Sequence, residues 1–197
     1  AGYRENSTAS TPFSQLNDAH MVCLIGSEIN RDNAVPGFTI NNLQTLKGVT
    51  LQLITNRNDS AMAHKADEVK IISSYYHFIK ALNYYLIANN HHNALFIRDN
   101  CKGFDEYKAE LMKEDFAGLV AQAGNISAEE IIEFALQYNE EQNVIIVYSE
   151  KELSSNACSE LRNLALITGK LGKTGSGLIA LKEKNNSQGL HDMGICR

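Results

Sequence analysis

Four short apolar runs decide what this chain can become. They are "MVCLIG" at 21–26, "VTLQLIT" at 49–55, "EVKII" at 68–72 and "NVIIVY" at 143–148. A strand with one wet face alternates apolar and polar side chains. The first and last runs stay apolar throughout, which fits strands covered on both faces, as in a parallel sheet. Segments with helical spacing separate the runs, and strand, helix, strand is the pattern of a right-handed parallel crossover. The expected fold is therefore α/β: a Rossmann-like parallel sheet with helices on both faces and buried strands at Met21–Ile25, Val49–Ile54, Val69–Ile72 and Asn143–Val147.

The intervening segments carry their own signals. After a loop holding Pro36 and Gly37, "FTINNLQTLKG" repeats Phe38, Leu43 and Leu46 at helical spacing and places Gly48 where a C-terminal cap belongs. "SAMAHKAD" reads as a short helix leading into the third strand. "YYHFIKALNYYL", Tyr75 to Leu86, is an apolar helix whose aromatic stripe suits a core better than a stacked nucleobase. "FDEYKAELMKEDFAGLVAQAG" is helical with a break expected near Gly118. Ser127 and Glu130 form a capping box ahead of Ile131, Phe134, Ala135 and Tyr138, which share a face. "SSNACSELRNLALITGKLG" is the helix after the fourth strand. The reading is one domain over 1–197, with 178–197 as a polar C-terminal segment.

Several function classes drop out. A net charge of −5 supplies no basic field for nucleic acid. The apolar runs are too short to insert in a membrane. "AGYRENSTAS" has neither the basic start nor the apolar centre of a signal peptide, so a cytoplasmic setting is expected. Cys23, Cys101, Cys158 and Cys196 are scattered with no close pair for a metal, and read as free thiols. His91 and His92 are adjacent, so on a helix they would point about 100° apart. No metal site and no catalytic residue is assigned. There is no Walker lysine loop, no complete GxGxxG after the first strand and no GxSxG elbow. "GKLGKTGSG" is rich in phosphate-friendly amides, but it follows a helix where a phosphate loop would open one.

In an open parallel sheet the ligand crevice lies at the carboxyl ends of the strands. The residues there are Gly26-Ser27-Glu28, Thr55-Asn56-Arg57-Asn58, Ser73-Ser74 and Tyr148-Ser149-Glu150. Their amides, hydroxyls and guanidinium suit a nucleotide. The same residue types also cap helices and close turns, and composition does not separate the two roles.

One long stretch narrows the choice. "LRNLALITGKLGKTGSGLIALKEKNNSQGLHDMG" resembles a segment of molybdopterin oxidoreductases, in particular formate dehydrogenase catalytic subunits. Those run from a leucine-rich helix through TGN-[IL]-G-[RK]-x-G-x-G to RGQNN-x-QG-x-x-DMG. "QLNDAHMVCLIGSEI", "LQLITNRN", "CKGFDEYK" and "ISAEEIIEFALQYN" follow the family's order, so the resemblance covers nearly the whole chain. The chain is also similar to the large iron–sulfur subunit of respiratory complex I, where this domain carries no molybdenum.

The resemblance implies a third domain that holds the guanine end of molybdopterin guanine dinucleotide. Carried over residue by residue, it marks Gly26, Ser27, Glu28, Asn56, Arg57, Lys182, Lys184, Asn185, Asn186, Gln188 and Asp192 as cofactor-binding positions. It implies as partners the other domains of such a subunit and its electron-transfer subunits. Self-association through the C-terminal segment is a further expectation. Departures from the pattern fall on the strand tips. G-x-N becomes Gly26-Ser27-Glu28, D-P-R loses its aspartate at Asn56-Arg57, P-G-[TS]-D becomes "SSYYH", and RGQ becomes Lys182-Glu183-Lys184. The resemblance so altered implies a structural domain with cofactor absent or weakly bound. Two alternatives stay open: an intact guanine-binding domain of an active formate dehydrogenase, and an independent nucleotide-binding module.

Overall fold

The computed structural model describes residues 11–182 and Met193. Five strands form one sheet: β1 (Met21–Ile25), β2 (Thr50–Thr55), β3 (Glu68–Ile71), β4 (Val144–Ser149) and β5 (Gly177–Leu181). Their order is β3-β2-β1-β4-β5, and every pairing is parallel. A 3-10 turn (Phe13–Asp18) precedes them. The helices are α1 (Ile29–Asp32), α2 (Ala34–Lys47), α3 (Tyr75–Ala88), α4 (Ala94–Asn100), α5 (Phe104–Leu111), α6 (Phe116–Ala123), α7 (Ala128–Glu140) and α8 (Ser155–Ile167).

Every residue of β1 and β4 is buried, so the unbroken apolar runs mark the centre of the sheet, as expected. Alternate side chains still go to opposite faces. Met21, Cys23 and Ile25 join Ile54, Ile146 and Leu178 in the core under α3, α6, α7 and α8. Val22 and Leu24 join Leu51, Leu53, Ile145 and Ile179 under α2. The aromatic stripe of α3 belongs to the first core: Phe78 is fully buried and meets Phe134 at 5.5 Å between ring centroids. Burial pushes the Cys23 thiol up to about 12. The capping box at Ser127 and Glu130 is formed, and Ile131, Phe134, Ala135 and Tyr138 are all buried.

The structure corrects the sequence reading in several places. Pro36 and Gly37 sit in the first turn of α2, where Pro36 forfeits no helical bond because the first three positions of a helix have no helical acceptor for their N–H groups. Gly37 lets α1 and α2 approach closely, since a Cβ on it would lie 2.4 Å from Asn30 Oδ1 and 3.3 Å from Asn30 Cα. The buried face of α2 is Gly37, Ile40 and Leu43, while Phe38 and Leu46 are exposed. "SAMAHKAD" makes turns and no helix. Asp67 pulls the chain back into the sheet, donating its N–H to Leu51 O (2.8 Å) and accepting Leu51 N–H on its carboxylate (2.7 Å). The break between α5 and α6 falls before Asp115, which caps α6 by accepting Gly118 N–H at 2.9 Å.

Beyond the four strands expected, a fifth strand reaches into the segment 178–197. The segment's first residues belong to β5, with Leu178, Ile179 and Leu181 buried against β4 and both cores. The rest of that segment, apart from Lys182 and Met193, lies outside the described residues, as does Cys196. Among the described residues, no helix is long and apolar enough to cross a membrane, and no group of three or more His, Cys, Asp or Glu could hold a metal ion.

Candidate functional site

Neighbouring strands β1 and β4 send the chain to opposite faces. β1 leads to α1 and α2, β4 to α8. This is the topological switch point, where open α/β sheets place their ligands. The loops that meet there are Gly26–Glu28 and Ser149–Leu153, with the ends of β2 and β3 alongside.

Gly26 has φ +57°, and its N–H extends the ladder to Ile54 O at 3.0 Å. A Cβ on it would lie 2.2 Å from Leu153 Cδ1 and 3.1 Å from Tyr75 Cζ. Both conformation and space therefore demand glycine. Ser27 and Glu28 are buried behind it, and the Glu28 carbonyl accepts the N–H groups of Arg31 and Asp32. Asn56 is held by Tyr75: its N–H donates to the Tyr75 hydroxyl at 3.0 Å, and that hydroxyl donates to Asn56 Oδ1 at 3.2 Å. Burial raises the pKa of the Tyr75 hydroxyl, so it remains a donor through the neutral range.

Arg57 turns out of the crevice. Its N–H donates to Thr55 Oγ1 at 3.1 Å, and its guanidinium pairs with the exposed Asp59 at 3.5 Å. On the β4 side, burial raises the Glu150 carboxyl pKa, and the nearby Lys182 charge works against that rise. Lys151 reaches across the switch point to Asp32 Oδ2 at 3.6 Å. The structure thus brings Gly26, Ser27, Glu28 and Asn56 to one end of the sheet, and Lys182 beside Glu150. It sends the Arg57 side chain elsewhere. Lys184, Asn185, Asn186, Gln188 and Asp192 lie outside the described residues.

Two residues at the centre of this arrangement, Tyr75 and Leu153, escape a reading for polar ligand groups. Tyr75 passes for one more member of an aromatic stripe. Leu153 carries no chemical signal, and only the φ and crowding at Gly26 reveal it.

The glycine-rich "GKLGKTGSG" lies at the other end of the strands. Gly175 N–H donates to Gln15 Oε1 at 3.1 Å, and Ser176 Oγ donates to Gln142 O at 2.7 Å. Lys170 is buried, donates to the carbonyls of Asn139 and Glu141, and sits 5.1 Å from the Tyr138 ring centroid. Desolvation lowers its pKa to about 8. This loop closes the C-terminal end of α7 and the start of β4, and Lys170, Gly175 and Ser176 are committed there. A separate cavity of about 520 Å³ opens between α4 and the start of α5, lined in part by His92, Arg98, Cys101, Phe104 and Asp105. It is remote from the strand tips.

The fold and its switch-point crevice define an α/β domain of the Rossmann-like class. No family model matches the chain. It is 28% identical over 198 residues to a putative formate dehydrogenase of Staphylococcus aureus (strain USA300), and 28% identical over 199 residues to one of Staphylococcus haemolyticus. In both cases 94% of this chain is covered and 19% of the relative, so the chain spans about a fifth of the length of these curated relatives. Among solved structures, acetylene hydratase from Pelobacter acetylenicus shares the fold with a TM-score of 0.64 and 20% identity, over 84% of this chain and 23% of that one.

Proposed function

We propose that the chain is a domain of a molybdopterin oxidoreductase subunit of formate-dehydrogenase type, serving as a structural element with weakened hold on the guanine dinucleotide. The observation that carries this reading is a likeness to formate dehydrogenases running along nearly the whole chain, combined with strand tips whose polar groups bind one another. In such a subunit the cofactor supplies the redox chemistry, and the protein contributes binding, orientation and electrostatics. The described tips do not fit that ligand as they stand. The space beside Gly26 is filled by Leu153 and Tyr75, and both the N–H and the side-chain oxygen of Asn56 are engaged. Glu28, buried where the family carries an amide, would oppose a phosphate.

Titration with GDP tests the reading directly. The expected dissociation constant is no tighter than about 1 mM, roughly −4 kcal/mol. The purified chain should also oxidise no formate, with or without added cofactor. Micromolar binding of GDP, or measurable formate oxidation, would overturn the proposal in favour of an intact guanine-binding domain.

A further inference from the structure

A glycine at the tip of the first strand normally lets a ligand approach the backbone. Gly26 keeps that clearance, yet what approaches it is the protein itself. Leu153 arrives from the loop after β4 and Tyr75 from the first turn of α3, just after β3. Asn56, just after β2, completes the group through its two bonds to the Tyr75 hydroxyl. Four strand ends thus converge on one small volume, and Tyr75 is only 8% exposed within it.

Packing alone does not account for this. A leucine at position 75 could cover Gly26, but it could not both accept the Asn56 N–H and donate to the Asn56 side chain. Those two bonds use the donor and acceptor that a polar ligand would otherwise find at the end of β2.

We infer that Tyr75 and Leu153 form an internal plug, closing the carboxyl-end crevice and replacing a nucleotide as the filling that ties the strand ends together. The inference rests on the proposed reading of the chain as a domain that no longer grips its dinucleotide. It adds which side chains are responsible.

Two variants test it. Tyr75→Phe keeps the ring and removes only the hydroxyl. Amide hydrogen exchange at Asn56 should then accelerate about tenfold, the factor expected for one lost hydrogen bond. Unchanged protection at Asn56 would overturn the plug. The double variant Tyr75→Ser, Leu153→Ala opens the volume, and GDP should bind it at least about tenfold more tightly than the parent chain, with NMR shifts centred on Gly26 and Ser27. If circular dichroism shows the double variant unfolded, Leu153→Ala alone is titrated under the same criterion. A folded variant with no gain in affinity, against a parent that binds weakly, would overturn the plug and leave the proposed function standing. Tight binding of GDP by the parent would overturn both.

Discussion

The two ends of the sheet solve the same problem with different materials. At the amino end, buried side chains satisfy backbone carbonyls: Lys170 those of Asn139 and Glu141, Ser176 that of Gln142. Backbone acceptors cannot be exchanged by mutation, so this end is fixed by the fold. At the carboxyl end the closing contacts join one side chain to another: the Tyr75 hydroxyl with Asn56 Oδ1, and Lys151 with Asp32. Such contacts can drift by point substitution while the sheet stays intact. The comparison teaches why the polar groups of the carboxyl end can change without loss of the architecture.

The contrast is broken most sharply at Gly26. Gly26→Ala forces a side chain into φ +57° and against Leu153. The left-handed conformation and the overpacking together should cost about 3–4 kcal/mol in urea denaturation. Pairing it with Leu153→Ala should recover the packing part and leave only the conformational part. Equal loss in the single and double variants would mean that the two residues do not meet in solution.

The amino end comes next. Lys170→Ala removes two bonds to buried carbonyls and the contact with Tyr138, at an expected cost of about 2–3 kcal/mol. The cost is moderated because burial already disfavours the ammonium. A loss near zero would show this end to be no more fixed than the other.

The same lysine supplies a pH signature of smaller size. Its pKa falls from 10.5 in the unfolded chain to about 8 in the folded one, so between those values the unfolded chain holds more protons. The Lys170 contribution is complete above 10.5 and is lost as the pH falls through 8. Cys23 runs the other way: its thiol rises from 9 to about 12, so its contribution is present below 9 and lost toward 12. The difference in stability between the parent and Lys170→Met removes most of the thiol's part and leaves only the charge coupling between Cys23 and Lys170. That difference should shift in the parent's favour by on the order of 1–2 kcal/mol from pH 7.5 to 10. A flat difference would remove the lysine's perturbed environment.

What the sequence made legible follows the same division. β1 and β4 announce themselves because burial on both faces forbids polar residues, and the Ser127–Glu130 box is a local signal that needs no tertiary context. β5 stays hidden because "GLIAL" is short and lies between a glycine-rich loop and a lysine-rich stretch. The face of α2 is misread because Phe38 and Leu46 keep helical spacing while staying exposed. At the strand tips the polar residues could be named in advance, since topology fixes where they emerge. Tyr75 and Leu153 could not, because their role depends on meeting Gly26 from β3 and β4, which is a property of the assembled sheet.

Arg57 gives the smallest expected effect and the finest test of the comparison. Among the tip residues marked by resemblance, Arg57 has its side chain paired with an exposed partner at 3.5 Å. An exposed pair of this kind contributes about 0–1 kcal/mol and is weakened further by salt. Arg57→Ala should therefore change stability by no more than about 0.5 kcal/mol and leave the weak affinity for GDP unaltered. The guanidinium could matter in only one other way, by swinging back toward an anionic ligand once the crevice is open. That possibility belongs to the plug-free variant: adding Arg57→Ala to Tyr75→Ser, Leu153→Ala should then reduce its gained affinity, with a steeper salt dependence lost along with it. An effect in the open background and none in the closed one would place the barrier at Tyr75 and Leu153. Equal effects in both would put Arg57 in contact with ligand already in the parent, and the carboxyl end would then be a working site.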